Sequence, residues 1–280
     1  MIDTPGQPAA AHEADEERFS FTPFTRHPFF TYVNRWIVER VICPGRQVIV
    51  DLGCGPGAVT QLILERLEDQ NHARVIGIDP SPSALAKARA AISSRAAEFV
   101  QGSAEWLSRL VPTADAVVFL NAIHLVLDKP RVVTEVRKAL KPGGVFAFNT
   151  TFFAGAYAEG TGAFWRRWIV RSVQVLKERG ITVQHSGKAP AMQWLSRDEY
   201  CALCEGAGLR PTTVELLQVD MTPEAMRDIS RFSLFIEGAL PGVPLEDGLA
   251  ALHAGLDRTL DELKVTAVPR NWLQVVAEAV

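Results

Sequence analysis

Around residue 50 an apolar run, Val48-Ile49-Val50, leads through Asp51-Leu52 into a turn with three glycines in five residues, Gly53-Cys54-Gly55-Pro56-Gly57. A helical pattern follows over residues 59–67. A strand that passes into a helix through so short a glycine turn belongs to a parallel sheet, whose neighbouring strands need helical crossovers. Glycine there permits positive φ and lets a ligand approach the backbone, while the helix start presents unpaired N–H groups and the positive end of its dipole. The turn is therefore expected to hold a polar or anionic small molecule; the competing explanation is that a tight turn needs glycine for geometry alone.

The pattern repeats. Runs apolar at every position occur at 75–78, 99–100, 116–120 and 145–148, separated by helical stretches, which describes parallel strands covered on both faces. Helix ends are legible. Ser81 is placed to cap with Pro82 in the first helical position, Pro130 opens a helix that Lys141-Pro142-Gly143-Gly144 stops, and Ser196 with Glu199 forms a capping-box pair. The expected fold is α/β, a doubly wound, mostly parallel sheet with an N-terminal arm and helical lid insertions.

The regularity defines six segments: 1–45, a polar tail and aromatic helical arm; 46–150, the cofactor-binding core; 151–195, a lid insertion; 196–220, a core helix with a strand near 213–217; 221–267, a second helical lid; and 268–280, the final core strand. Thr222-Pro223 opens one helix of the second lid, and Leu245, Leu249, Leu252, Leu256, Leu260 and Leu263 mark the apolar stripe of another.

A formal net charge of -3 and the absence of any long Lys/Arg run argue against nucleic acid or an anionic membrane as partner. Apolar stretches of four to eight residues are too short to span a bilayer, and the polar N-terminus is unlike a signal peptide, so a cytoplasmic protein is expected. Cys43, Cys54, Cys201 and Cys204 are too few and too irregular for a disulfide framework. Cys201-Ala-Leu-Cys204 lacks the second pair a zinc site needs and is expected to pack in its helix.

Two cofactor classes fit the turn. Gly53, Gly55 and Ala58 satisfy G-x-G-x-x-A, as in dinucleotide-binding oxidoreductases. The stretch VIVDLGCGPG resembles motif I of class I S-adenosylmethionine-dependent methyltransferases, which share a Rossmann-like core, and the likeness continues in order to residue 150. Val75-Ile-Gly-Ile-Asp79-Pro80-Ser is similar to the family's second-strand motif, Val100-Gln-Gly102-Ser103-Ala104-Glu105 to its adenine-side loop, Asn121-Ala122-Ile-His124 to the end of its fourth strand, and Leu140-Lys-Pro-Gly-Gly144 to the turn before its fifth.

The resemblance implies S-adenosyl-L-methionine as cofactor and S-adenosyl-L-homocysteine as product. It implies a cofactor site of Asp51, Gly53, Cys54, Gly55, Gly57, Asp79, Pro80, Ser103, Ala104, Glu105, Asn121 and Ala122. Asp79 would accept the two ribose hydroxyls, with helix capping as its alternative role. Asp51 would fix the loop or reach the cofactor's ammonium. Many family members carry Asp where this chain has Ser103, so Ser103, the Ala104 amide or Glu105 would substitute, with Trp106 or Leu107 flanking the ring; Glu105 has the alternative of an exposed helix-start acid, and Asn121-Ala122 of a plain strand end.

No metal is expected, since the Asp-Asp-Asn arrangement of cation-dependent relatives is replaced by Asn121-Ala-Ile-His124. His124 is the leading candidate base, with a packing role as its alternative; His27, Tyr157 and His185 are weaker candidates. The arm and lids are rich in Phe, Tyr and Trp. Such walls suit a hydrophobic small-molecule acceptor, a polyketide, aromatic or isoprenoid metabolite; the alternatives are rings that only glue arm and lid to the sheet, or a homo-oligomer contact through the arm. Arg166, Arg167 and Arg171 would read an acidic group on the acceptor or form a solvated helix face. Two other functions stay open: an NAD(P)-dependent oxidoreductase and a non-catalytic cofactor-binding protein.

Overall fold

The computed structural model describes residues 20–67, 72–183 and 193–280; the expected polar tail and His185 lie outside them. Seven strands form one sheet: β1 (Val48–Leu52), β2 (Arg74–Asp79), β3 (Ala97–Gln101), β4 (Ala114–Leu120), β5 (Leu140–Thr150), β6 (Leu209–Met221) and β7 (Val268–Ala279). Their order is β3-β2-β1-β4-β5-β7-β6, parallel from β3 through β5. β7 runs antiparallel to both β5 and β6. From β1 the connections step outward to β2 and β3 and then return to β4 on the other side of β1, so the carboxyl ends of β1 and β4 open a crevice where such folds bind ligands.

The described residues also form helices α1 (Thr22–Thr25), α2 (Pro28–Val41), α3 (Ala58–Arg66), α4 (Pro82–Ala91), α5 (Leu107–Leu110), α6 (Lys129–Ala139), α7 (Gly162–Glu178), α8 (Arg197–Gly206), α9 (Pro223–Ile229), α10 (Ser233–Ala239) and α11 (Leu245–Leu263). The expected starts hold: the Ser81 hydroxyl accepts from Ala84 N, Thr222 from Ala225 N, and Ser196 with Glu199 completes the capping box. α6 begins one residue earlier than Pro130, with Asp128 as its cap accepting from Arg131 N. Each cap satisfies a helix-end donor otherwise without a partner.

Two differences from the sequence expectation concern the sheet. Residues 141–144 do not simply end a helix. Leu140 pairs with Ala114 and Val145 with Ala116, so Lys141-Pro142-Gly143-Gly144 is looped out of β5, with Gly143 at φ 72°. β6 is also far longer than 213–217. Its polar positions, such as Arg210, Glu215 and Gln218, belong to an edge strand paired along its length with β7, a partner invisible in local periodicity.

Apolar burial divides into the two faces of the sheet and a third body. One face packs α6 and α8 around Phe146, Phe148 and Tyr200; the other packs α2 and α3 around Ile37, Ile49 and Ile63. The third body is made by the arm, both lids and the outer ends of β6 and β7. It joins Phe24, Phe30, Trp165, Trp168, Met221, Ile236, Leu252 and Trp272 in one cluster over the crevice. The arm packs on its own chain, and the segments expected as separate insertions act as one cap. Cys204 is a buried thiol within the α8 contact, and all four cysteines are free.

Candidate active site

The glycine turn is built from β1 outward. Gly53 N and Cys54 N both donate to Ile78 O, at 2.7 and 3.1 Å, which ties the turn to the end of β2. Gly55 N donates to Asp79 Oδ2 at 2.9 Å, and Ser81 N to Asp79 Oδ1 at 2.9 Å. Each Asp79 oxygen thus spends one lone pair on the backbone and keeps another, the arrangement a vicinal diol requires. Burial raises the Asp79 pKa while the two backbone donors oppose it.

The three glycines divide the work. A side chain at Gly55 would meet nothing within 4 Å, because this residue, with φ 52°, fronts open space at the crevice. At Gly57, with φ 93°, a Cβ would stand 2.8 Å from Ile92 Cδ1 and 3.3 Å from Ala88 Cβ. Gly57 therefore lets α3 start against α4 and does not line the crevice, a correction to its expected cofactor contact.

For Asp51 the contacts favour the first of its two expected roles, fixing the loop. It is 1% exposed and stands behind the turn, where it accepts from Thr60 Oγ1 at 2.5 Å. Burial, helped by nearby Asp79, pushes its pKa up to about 7 against the opposing Thr60 hydrogen bonds. Asp51 fixes the loop and does not reach the ligand space. Cys54 does line that space, and burial raises its thiol pKa.

The crevice is a cavity of about 1080 Å³. It brings together Gly53, Cys54, Gly55, Asp79, Pro80, Ser103, Ala104, Glu105, Asn121, Ala122 and His124 from four separate stretches of chain. Ser103 Oγ donates to the Glu105 carboxylate, so the position without an acid borrows one from two residues on. Trp106 and Leu107 do not flank this corner. Leu107 is in the core, and Trp106 is turned outward beneath the guanidiniums of Arg109 and Arg131.

Asn121 ends β4 in the left-handed region, φ 55°. Its backbone N donates to Asn149 Oδ1 (2.8 Å), its Nδ2 to Asn34 Oδ1 (2.9 Å), and its Oδ1 accepts from Trp272 Nε1 (2.9 Å). The side chain is committed to the protein, and Asn121 contributes wall and shape.

His124 is 5% exposed and stacks on Phe152, with ring centroids 4.3 Å apart. Thr150 Oγ1 accepts from Phe152 N at 2.9 Å and lies 3.1 Å from His124 Nδ1. A Thr150 hydroxyl that donates to Nδ1 while accepting from Phe152 N is compatible with a neutral ring protonated on Nε2. Burial first, then the positive charges of Lys129 and Arg270, push the His124 pKa down to about 3. Such an imidazole donates a hydrogen bond readily and takes up a proton poorly, contrary to the role expected from its position in the sequence.

The remaining wall is aromatic: Phe21, Phe152, Tyr157, Trp165, Trp194, Phe232 and Phe235 line the cavity beside the buried anchors Trp168 and Trp272. The rings both glue the cap and face the space. Arg167 and Arg171 pair with Glu262 on α11, so they hold the cap together rather than read a ligand. His27 is likewise paired, with Asp228 at 2.9 Å.

Arg270, at the start of β7, was missed in the sequence. It is 6% exposed and lines the cavity. No motif marks it, and only the register that bridges its backbone to Tyr157 brings it there. Among the described residues no group of three or more His, Cys, Asp or Glu side chains is placed to hold a metal ion.

A doubly wound sheet with a carboxylate at the end of β2 beside an open glycine turn is the architecture of the Rossmann-like class. Residues 49–144 match the methyltransferase domain family. The core of this chain is a class I S-adenosylmethionine-dependent methyltransferase domain. It is 36% identical over 121 residues to a trans-aconitate 2-methyltransferase of Azoarcus sp., which is 42% of this chain and 45% of that relative. The chain thus spans less than half the length of the curated relative it matches.

Among solved structures, a methyltransferase candidate of Bacillus halodurans shares the fold at a TM-score of 0.59, with 15% identity over 88% of this chain and 98% of that one. A Haemonchus contortus phosphoethanolamine N-methyltransferase, in complex with phosphomonomethylethanolamine and S-adenosylhomocysteine, does so at a TM-score of 0.52. Its identity is 15%, over 95% of this chain and 59% of that one.

Proposed function

We propose that the whole chain is an enzyme that transfers a methyl group from S-adenosylmethionine to a hydrophobic small molecule, without a metal. The observation that carries this reading is Asp79, whose two oxygens each keep a lone pair at the mouth of the turn while Gly55 leaves the adjoining space open. The methyltransferase-domain match supports the cofactor, as does the S-adenosylhomocysteine in a neighbour of the same fold.

When bound, the cofactor supplies a methyl group on a positively charged sulfur, activated for in-line displacement. The chain's own residues bind and align. Asp79 takes the ribose hydroxyls, the Gly53–Gly55 backbone meets the amino-acid portion, and Pro80, Ser103, Ala104 and Glu105 form the adenine corner. Ala122 and the Asn121 backbone close the wall between cofactor and acceptor. His124 Nε2 donates to the acceptor and orients it, with no proton removed by the imidazole. The cap excludes water, and positioning with desolvation provides most of the acceleration such a transfer needs.

The aromatic wall favours an apolar acceptor over a tricarboxylate such as the one in the relative's name. Lys87 and Arg270 are the Lys and Arg side chains among the described residues lining the cavity, too few cations for three carboxylates. No helix among the described residues is long and apolar enough to cross a membrane, and four free thiols suit the reducing cytoplasm.

Calorimetric titration with S-adenosylhomocysteine, NADH and NADPH tests the cofactor. Binding of the first alone is expected, and preference for a nicotinamide would reject the proposal in favour of an oxidoreductase. Incubation with methyl-labelled cofactor and pooled lipophilic metabolites tests turnover. Tight cofactor binding without label transfer to any pool would indicate a binding protein.

A further inference from the structure

Arg270 is a buried cation in the acceptor half of the cavity, and no described carboxylate neutralises it. The Nε–Nη2 edge of its guanidinium is occupied. Nε donates to Thr151 Oγ1 and Nη2 to Thr151 O, both at 2.8 Å. The opposite edge, Nη1 with the second Nη2 proton, donates to no described residue.

Four aromatic rings surround the cation: Trp165 at 4.5 Å, Phe152 and Tyr157 at 5.4 Å, and Trp194 at 5.8 Å from its central carbon. The Trp165 indole N–H is itself buried without an acceptor among the described residues. Ring faces soften the cost of burying the charge, but they do not satisfy in-plane N–H donors. A fixed pair of parallel donors is the complement of a carboxylate.

We propose that Arg270 is the specificity residue for a carboxylate on the methyl acceptor, held on the free guanidinium edge inside the box of Phe152, Tyr157, Trp165 and Trp194. One cation among aromatic faces balances one negative charge, so the acceptor is an apolar monocarboxylic acid rather than a phosphate ester or a polyacid. The rings receive its hydrocarbon body, and His124, stacked on Phe152, lies within the same wall. This deepens the proposed function and rests on it for the word acceptor. The anion site itself does not depend on which cofactor occupies the turn.

The test is direct binding of matched probes, 2-naphthoate against 2-naphthamide and 3-phenylpropionate against 3-phenylpropanamide, to the full chain with and without S-adenosylhomocysteine. Each acid is expected to bind at least tenfold tighter than its amide. Arg270→Met is expected to abolish that preference and Arg270→Lys to keep part of it, with S-adenosylhomocysteine affinity unchanged within threefold in both as the control for folding. If Arg270→Met does not fold, the Arg270→Lys variant and the acid-to-amide ratio of the unaltered protein still decide.

Equal affinity of acid and amide in the unaltered protein would overturn the proposal, as would an acid preference that survives in Arg270→Met. A tenfold loss of S-adenosylhomocysteine affinity in Arg270→Met, with the acid preference intact, would assign the arginine to the cofactor's own carboxylate and overturn it too. Failure of S-adenosylhomocysteine to bind at all would reject the cofactor reading, while the acid-to-amide ratio of the cofactor-free protein would still judge Arg270.

Discussion

Asn34 of the arm and Asn121 at the end of β4 are joined by a 2.9 Å hydrogen bond, from Asn121 Nδ2 to Asn34 Oδ1. The same Asn34 oxygen accepts from Asn149 Nδ2, also at 2.9 Å. One side chain from outside the core thus fixes two strand ends and holds Asn121 at φ 55°. The arm is part of the site's scaffold.

Asn34→Ala would leave one buried amide donor, on Asn149, and one half-buried donor, on Asn121, without their acceptor. A loss of about 2 kcal/mol or more in unfolding free energy is expected by urea denaturation, since each orphaned buried donor costs on the order of 1–3 kcal/mol. Cofactor affinity should fall with it, because the β4 end lines the cavity. A loss below about 0.5 kcal/mol would show that the arm is only draped over the sheet.

Asp79→Ala should weaken S-adenosylhomocysteine binding at least tenfold by calorimetry while the near-ultraviolet dichroism stays native. Its carboxylate also anchors Gly55 N and Ser81 N, so Asp79→Asn, which keeps one acceptor, should fall between the two. Unchanged affinity in the alanine variant contradicts the ribose role.

Gly55→Ala and Gly57→Ala should separate binding from stability. Both force alanine into the left-handed region, at about 1–2 kcal/mol. At Gly57 a further clash with Ile92 adds about 1–3 kcal/mol of overpacking, so its melting temperature should drop more. At Gly55 the methyl enters open ligand space, so cofactor affinity should suffer more than stability. The reverse ranking would undo the division of roles among the glycines.

Asp51 and His124 should give stability two opposing pH slopes. The native state holds the Asp51 proton up to about 7, against about 3.9 for an unfolded chain, so this group's stabilising contribution is full below pH 4 and lost as pH rises to about 7. Native His124 takes its proton only near 3, against about 6.5 unfolded, so its contribution is full above pH 6.5 and lost as pH falls to about 3. Relative to the unaltered protein, His124→Asn should lose stability with rising pH between 4 and 6.5, by up to about 1.4 kcal/mol per unit, and Asp51→Asn should gain it. Urea denaturation at three pH values in that window checks both slopes. A carbon-13 resonance of the His124 ring that titrates near 6.5 would remove the neutral-imidazole assignment.

The parallel half of the sheet was legible because each strand is covered on both faces and so reads as an unbroken apolar run. The caps at Ser81, Ser196 and Thr222 were legible because capping is a contact within four residues. Asp79, Gly55 and Ser103, singled out by the order of the motifs, line one cavity because strand ends of a doubly wound sheet converge. β6 was underestimated because an edge strand draws its stability from a partner about 50 to 70 residues away in sequence.

The roles of Gly57, Asp51 and His124 depend on what lies against them, namely Ile92, Thr60 and the charges of Lys129 and Arg270. None of these partners is marked by spacing.

The chain's order of strands, glycine turn and capped helices determined a doubly wound sheet, because those signals are local and periodic. Tertiary structure alone decided that arm and lids merge into one aromatic cap, that a histidine is held neutral, and that an arginine without a motif stands unpaired in the cavity. Burial and charge pairing are properties of neighbours in space, and the neighbours of Arg270 come from residues 151 to 194, on the far side of the fold's connectivity.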